Sequence, residues 1–399
     1  MNSREIMSIE DAHNAKFYAR KPISILRGSG TLVYDAEGKE YVDCTGGYGT
    51  CIVGHAHPKV VEAITTQAHK LISCHSSTYN DARADFLAKL LEITPPELSR
   101  FFLSNSGAEA VECAIKLARK AIGKRKIVAI KGGYHGKTHG ALSATWDSKY
   151  RRSFEPLVSD FVHIPFGNIE AAKQTITTDT AAVIFEPIQG EGGIRVSPVE
   201  WLRLLRDLTG DVGASLIADE IQSGSGRTGR MFACEHFDVT PDILCIGKGI
   251  ASGLPVGITA ASDQLMGTLT VGEHTGTFGG NPVVCAAGAA TIDVLLEEHL
   301  VENAVEVGNY LKEQLSGLQR EYSIIREIRG LGLMLAAEMR FDVHQIILDA
   351  LERGVLMIDA GRNVLRFLPP ICIRKVEVDK VIRTLQSIVG KEQLARLPS

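Results

Sequence analysis

The chain has 399 residues, 23% of them charged and 45% hydrophobic, with a formal net charge of -4. Such a composition suits a globular protein larger than one core usually fills, and it leaves no basic footprint for nucleic acid. No run approaches the roughly 18 apolar residues of a membrane span, the N-terminus lacks the apolar core of a signal peptide, and the eight cysteines fall singly with no C-x-x-C pair, so the expected setting is the cytoplasm, with reduced thiols and no metal.

In chain order, "GTLVYDAEGKEYVDCTGG" alternates apolar and polar residues around a Gly-containing turn at residues 36–39, so the chain is predicted to open on strands. "PKVVEAITTQAHKLI" and "NDARADFLAKLLEI" follow as two helices, the second capped by Asn80. Between about residue 100 and residue 262, the apolar runs "RFFLS", "KIVAIK", "AAVIFEP", "ASLIAD", "ILCIG" and "PVGITAAS" alternate with helix-length segments. Runs buried on both faces and separated by helices predict an α/β fold with a mainly parallel sheet, whose ligands sit at the carboxyl ends of the strands. Those ends carry Ser104 to Gly107, Gly132 to His135, Glu186, Asp219 with Glu220, and Lys248.

After Asn281-Pro282 comes one long helical stretch from Val283 to Leu315. Alternating strand and helix patterns then complete a smaller α+β unit. The division predicted is an N-terminal segment, residues 1–55, that joins the small domain; a large domain, residues 56–285; and a C-terminal small domain, residues 286–399.

Two glycine-rich motifs point toward nucleotides. "GSGRTG" (Gly224 to Gly229) matches G-x-G-x-x-G, which leaves a dinucleotide-dependent oxidoreductase as a remote alternative, but "RMFACEHFDVTPD" is too short and aromatic for the helix such a fold needs. "GGYHGKT" fails the phosphate-loop spacing because its first glycine would fall on Lys131. "FLSNSGAEAVECAIKLARKAIG" is stronger: a strand runs into a helix whose first N–H groups, at Ser106, Gly107 and Ala108, suit a phosphate dianion, although an ordinary Ser-capped helix reads the same way.

Lys248, between Gly247 and Gly249, is costly in so apolar a setting unless it does chemistry. Asp219 and Glu220 close another apolar strand, and alternation sends them to opposite faces. A lysine and an acid at neighbouring strand ends, near a phosphate cradle, suit pyridoxal 5'-phosphate; a plain Asp219–Lys248 ion pair is the alternative.

The ordered set "NSGAEA", "YHGKTHGAL", "EPIQGEGG", "DEIQSGSGRTG", "ILCIGKGIASGLPVG", "TGTFGGNP" and "NVLRFLPP" covers almost the whole chain and resembles the class III pyridoxal-phosphate aminotransferases. "GGYGTCIVGHAHP", "YHGKT" and "KYRRSFEPLV" are most similar to the archaeal enzymes acting on acetylornithine, or on lysine or ornithine attached to a small acidic amino-group carrier protein. The resemblance implies fold type I, with a seven-stranded sheet in the large domain, and a homodimer or dimer of dimers. It implies Lys248 as the cofactor-bound lysine and base, Asp219 on the pyridine nitrogen, and Gln222 near the ring hydroxyl. Tyr134 would stack on the ring with His135 beside it, Ser106, Gly107 and Ala108 would hold the phosphate, and Thr277 would reach the phosphate of the neighbouring subunit. Arg366 would grip the carboxylate of 2-oxoglutarate, with Glu191 neutralising it while the amine donor is bound; a surface salt bridge is the plain alternative. Lys137 stands where many relatives carry an arginine for the substrate carboxylate, and a lysine lacks the planar fork. Tyr48 and Tyr79 resemble entrance tyrosines of ornithine aminotransferases and equally read as packing, so free ornithine or 4-aminobutyrate remains an alternative donor. His55 and His57 read as structural.

Overall fold

The computed structural model describes residues 1–396. It opens on a helix, Ser3–His13, and not on a strand: the Asn2 side chain accepts from the Glu5 N–H at 3.0 Å, and Glu5 accepts from the Asn2 N–H at 3.1 Å. This capping box starts a helix that has no buried residue, so no apolar periodicity announces it. Three antiparallel strands follow, β1 (Ile25–Ser29), β2 (Leu32–Asp35) and β3 (Glu40–Asp43), with the β2–β3 turn where the sequence predicts it. Helices Pro58–Lys70 and Asp81–Ile93 come next, and Asn80 caps the second by accepting from the Arg83 N–H at 3.1 Å.

The central sheet uses β4 (Arg100–Ser104), β5 (Lys126–Ile130), β6 (Phe161–Ile164) and β7 (Thr180–Phe185). After a short hairpin of β8 (Ile188–Gln189) and β9 (Arg195–Val196), it is completed by β10 (Ser215–Asp219), β11 (Ile243–Gly247) and β12 (Gly257–Ala261). Its order is β4-β12-β11-β10-β7-β5-β6, with β12 antiparallel to both neighbours and the other six co-directed. The fold is thus α/β with a mainly parallel seven-stranded sheet.

Period-2 alternation divides each inner strand between two cores. Val128, Val183, Leu216 and Leu244 enter one cluster, while Ile127, Ile184, Ile217 and Ile243 enter the other, on the side covered by helix Gly107–Ile122. Because both faces of the inner strands are buried, the charged residues among them gather where those strands stop, at Glu186, Asp219 and Lys248. After β10 the "GSGRTG" segment forms turns and then a short 3-10 helix, Ala233–Phe237, so the long helix of a dinucleotide site is missing from it.

The single helical stretch expected after Pro282 is two helices, Pro282–Glu297 and Leu300–Glu321, broken where His299 takes a φ of 52°. Neither glycine nor proline marks that break in the sequence. Beyond it lie β13 (Ile325–Leu331), β14 (Met334–Met339), β15 (Val355–Leu356), β16 (Ile358–Asp359) and β17 (Val364–Phe367), with helices His344–Glu352 and Lys375–Arg396. β3 pairs in parallel with β15, Val42 opposite Val355, and Val42 and Ile52 share a core with Leu335 and Phe367. No helix of the described residues is long and apolar enough to cross a membrane.

Candidate active site

Asp219 ends β10 on the face where helix Gly107–Ile122 packs, and its side chain is 5% exposed. Its Oδ2 accepts from His135 Nδ1–H at 2.8 Å and its Oδ1 from the Ile221 N–H at 3.1 Å. Burial alone would depress the His135 imidazole, but the Asp219 carboxylate reverses this and raises it. Asp219 therefore pairs with His135, and not with Lys248 as the simplest ion-pair reading had it. Glu220 takes the opposite side, fully buried, accepting from the Ser223 hydroxyl at 2.6 Å and the Cys234 N–H at 2.7 Å. Those bonds make Glu220 a packing group, even though burial pushes its carboxyl up.

Lys248 follows β11 as the first residue of a 3-10 turn, Lys248–Ala251, with a φ of 45°. A non-glycine residue there carries strain of about 1 kcal/mol or more, which the surrounding packing must hold. The flanking glycines are packed against the protein: a Cβ on Gly249 would lie 3.0 Å from Ile52, and one on Gly247 would lie 3.3 Å from Ile221. Protein packing is what excludes side chains beside Lys248. Burial pushes the Lys248 amine down to about 8, with Glu191 and Asp219 opposing and Arg366 adding to the shift.

A cavity of about 320 Å³ opens at these strand ends. Gly107 and Ala108 wall one side, Tyr134 to Lys137 another, and Glu186, Glu191, Gln222, Asp219 and Lys248 all face it. Glu186, at the end of β7, clamps two walls together: one carboxylate oxygen accepts from the Tyr134 N–H and the other from the Gly190 N–H, each at 2.7 Å. Burial pushes its carboxyl up, with His135 opposing and the Asp219 charge reinforcing. The Gly190 turn carries Glu191, whose Oε1 accepts from Arg366 Nη1 at 2.5 Å. Burial pushes Glu191 up but Arg366 outweighs it, leaving the carboxyl below its usual range. Arg366 sits on β17 with its side chain 1% exposed; it also donates to Gln222 Oε1 at 3.3 Å, and its Nε has no partner among the described residues. Only one arm of the guanidinium is engaged by Glu191, so the fork is left for another carboxylate.

The remaining expected residues scatter. The Ser106 hydroxyl caps its own helix by accepting from the Glu109 N–H at 3.2 Å and does not line the cavity, whereas Gly107 and Ala108, the next two residues, do. Tyr48 is 55% exposed, with the Arg366 guanidinium 5.9 Å from its ring centroid. Tyr79 is fully exposed and borders a separate cavity of about 800 Å³ that no carboxylate lines; Thr277 is exposed and lines neither. His55 bonds the Asp43 carboxylate at 2.7 Å and His57 meets Glu298 at 3.3 Å, so the two rings turn to different partners. Two features escaped the sequence: the Glu186 clamp, whose only trace is an acid at a strand end, and Tyr150, packed edge-on against Tyr134 at 5.5 Å with no local signal.

The residues present fit pyridoxal phosphate. A helix N-terminus suits its dianion, a buried carboxylate already oriented by His135 suits a ring cation, and an amine lowered to about 8 suits covalent attachment and proton transfer. Close approach is built into the cradle, since β12 crosses beneath it: a Cβ on Gly257 would lie 2.0 Å from the Ser106 carbonyl oxygen.

A family model described as aminotransferase class-III matches residues 14–389. The acetylornithine aminotransferase of Methanopyrus kandleri is 43% identical over 387 residues, 96% of this chain and 98% of that protein. The LysW-aminoadipate semialdehyde transaminase of Deinococcus radiodurans is 41% identical over 395 residues, 98% and 91% of the two chains. Among solved structures, an ornithine aminotransferase from Toxoplasma gondii, described with partial occupancy of PLP at its active site, superposes with a TM-score of 0.94 at 30% identity, covering 98% of this chain and 96% of its own.

Proposed function

The chain belongs to the aminotransferase class III family, and from that premise we propose that it moves the terminal amino group of an N-acylated lysine or ornithine to 2-oxoglutarate, in lysine or arginine biosynthesis. It is a pyridoxal-phosphate-dependent aminotransferase of fold type I. The donor is either the acetylated amino acid or an amino acid borne on a small acidic carrier protein, as the names of the archaeal and bacterial relatives support. Nitrogen crosses with an electron pair, so the donor is oxidised to its semialdehyde and 2-oxoglutarate is reduced to glutamate without an outside oxidant.

The observation that carries the proposal is the meeting of Lys248, Asp219 and Glu191 at one cavity, with Arg366 bonded to Glu191 and Gln222 of its wall. When bound, pyridoxal phosphate supplies an electron-poor ring that accepts the amino group from one substrate and gives it to the next. Lys248 would hold the cofactor and would serve as the base toward the donor carbon beside the nitrogen; an amine near 8 keeps a usable neutral fraction at pH 7. Asp219, oriented by His135, would favour the protonated ring nitrogen, and Gln222 would approach the ring hydroxyl. Tyr134 would stack on the ring, while Ser106, Gly107 and Ala108 would offer their N–H groups to the phosphate, joined by Thr277 from a second copy of the chain. Arg366 grips 2-oxoglutarate, and Glu191 covers that charge while the donor is present.

A homodimer, or a dimer of such dimers, completes the site in this reading. Fully exposed Tyr79 and Val271, and Phe278 at 65% exposure, support such a contact surface. The pairing of β3 with β15 supports grouping residues 1–55 with the small domain, residues 286–399, around a cofactor-bearing unit of residues 56–285. Free ornithine is the second reading, favoured by Tyr48, whose ring centroid lies 5.9 Å from the Arg366 guanidinium.

The Lys248→Ala protein tests the mechanism. We expect it to lose the near-visible absorbance of the attached cofactor and at least about 10³-fold in glutamate formation. Retention of either at the parent level would refute the assignment.

A further inference from the structure

We propose that Tyr150 is a positioning residue for donor recognition: its ring holds the Lys137 ammonium at the cavity mouth, and the pair selects donors that carry a carboxylate beside the acylated nitrogen. The inference rests on the donor reading given above and adds the device that reads its carboxylate.

Tyr150 lies in a short helix, Ser148–Arg151, whose start is held by Asp147 accepting from the Lys149 N–H at 3.0 Å. Its ring packs edge-on against Tyr134, at a centroid distance of 5.5 Å and an interplanar angle of 72°. The Lys137 Nζ lies 5.2 Å from the Tyr150 centroid and the Lys149 Nζ 4.7 Å from it, so two ammonium groups share one ring. Lys149 has its counter-ion, the Asp147 carboxylate at 3.1 Å. Lys137 forms no ion pair among the described residues, although it borders the cavity. Two like charges with a single counter-ion leave one cation unmatched where a substrate enters, and an anionic substrate group completes the set.

A lysine cannot grip a carboxylate with two parallel bonds as an arginine does, and its long stem is free to wander. The face of Tyr150 supplies the missing constraint, since a cation over an aromatic ring is held by the ring's electron density. Tyr150 also abuts Tyr134, which walls the same cavity as Lys248. One ring therefore relates the carboxylate-binding ammonium to the place where the donor's terminal amine must react. The donor that fits is a flexible chain with a carboxylate at its acylated end and a free amine at the other.

The test compares N-acetylornithine with N-acetylputrescine, which differs only in lacking the carboxylate, using the holoenzyme. The parent protein is expected to favour N-acetylornithine by about tenfold or more in kcat/KM. Tyr150→Leu should lower that preference by about 2- to 5-fold through the N-acetylornithine KM, with kcat changed less than about twofold, while Tyr150→Phe, which keeps the ring face, should preserve it. Lys137→Met, at an exposed position where folding is not at stake, should lower the preference at least as far. An unchanged preference in Tyr150→Leu, or equal losses for both donors, would overturn the role of Tyr150. Should the parent protein use ornithine and putrescine instead of the acetylated pair, the acylated-donor reading falls, and the same ratio taken between those two amines decides Tyr150 by itself.

Discussion

Arg366 is buried beside a single acid, and that imbalance is what makes it useful. A buried guanidinium with one arm on Glu191 and a contact to Gln222 is paired at rest, and in the proposed function it would keep donors for a second carboxylate if Glu191 turned away. Charge-assisted hydrogen bonds are worth about 1.5–3 kcal/mol, so Arg366→Ala is expected to raise the 2-oxoglutarate KM by about 10-fold or more, while the donor KM moves less than about threefold. Steady-state kinetics with each substrate varied in turn would read this, and equal increases in both constants would remove Arg366 from the role. Lys248 and Asp219 were legible in the sequence because an ammonium and a carboxylate at the ends of otherwise apolar strands break the burial rule visibly. Glu186 breaks the same rule, but what it does depends on the β5 loop and the β8 turn converging on its two oxygens, and no local pattern records that convergence.

Strands and helices were legible wherever burial imposed a period. Six of the seven central strands stand out as apolar runs; β6 does not, because it is four residues long, carries His163, and leaves Val162 39% exposed at the sheet edge. Helix Ser3–His13 was missed for a related reason, since a helix without a buried face has only its capping residues to announce it. At the cradle, the fit between β12 and the start of helix Gly107–Ile122 is set by close backbone approach. Gly257→Ala would press a Cβ against the Ser106 carbonyl, and such overpacking is expected to cost about 1–3 kcal/mol and to weaken cofactor retention. Thermal unfolding together with cofactor titration would check both, and a variant that keeps parental stability and cofactor affinity would show that the cradle tolerates the shift.

The N-terminal and C-terminal parts of the chain meet in one core, through β3 against β15 and through Val42 and Ile52 against Leu335 and Phe367, and Arg366, on β17, bonds Glu191 and Gln222 of the cavity wall. The Glu191 acid comes from the other side, from a turn tied to the large sheet by Glu186. The Glu191–Arg366 ion pair thus joins residues 175 positions apart in sequence. Periodicity cannot show such a bridge; only the ordered motifs from "NSGAEA" to "NVLRFLPP" suggested it. What the chain does as a whole is decided most directly by measuring glutamate formed from 2-oxoglutarate with N-acetylornithine, carrier-linked lysine and free ornithine as rival donors. We expect one of the N-acylated donors to exceed free ornithine in kcat/KM by about tenfold or more, a difference of about 1.4 kcal/mol in transition-state stabilisation; free ornithine as the best of the three would contradict the proposed function.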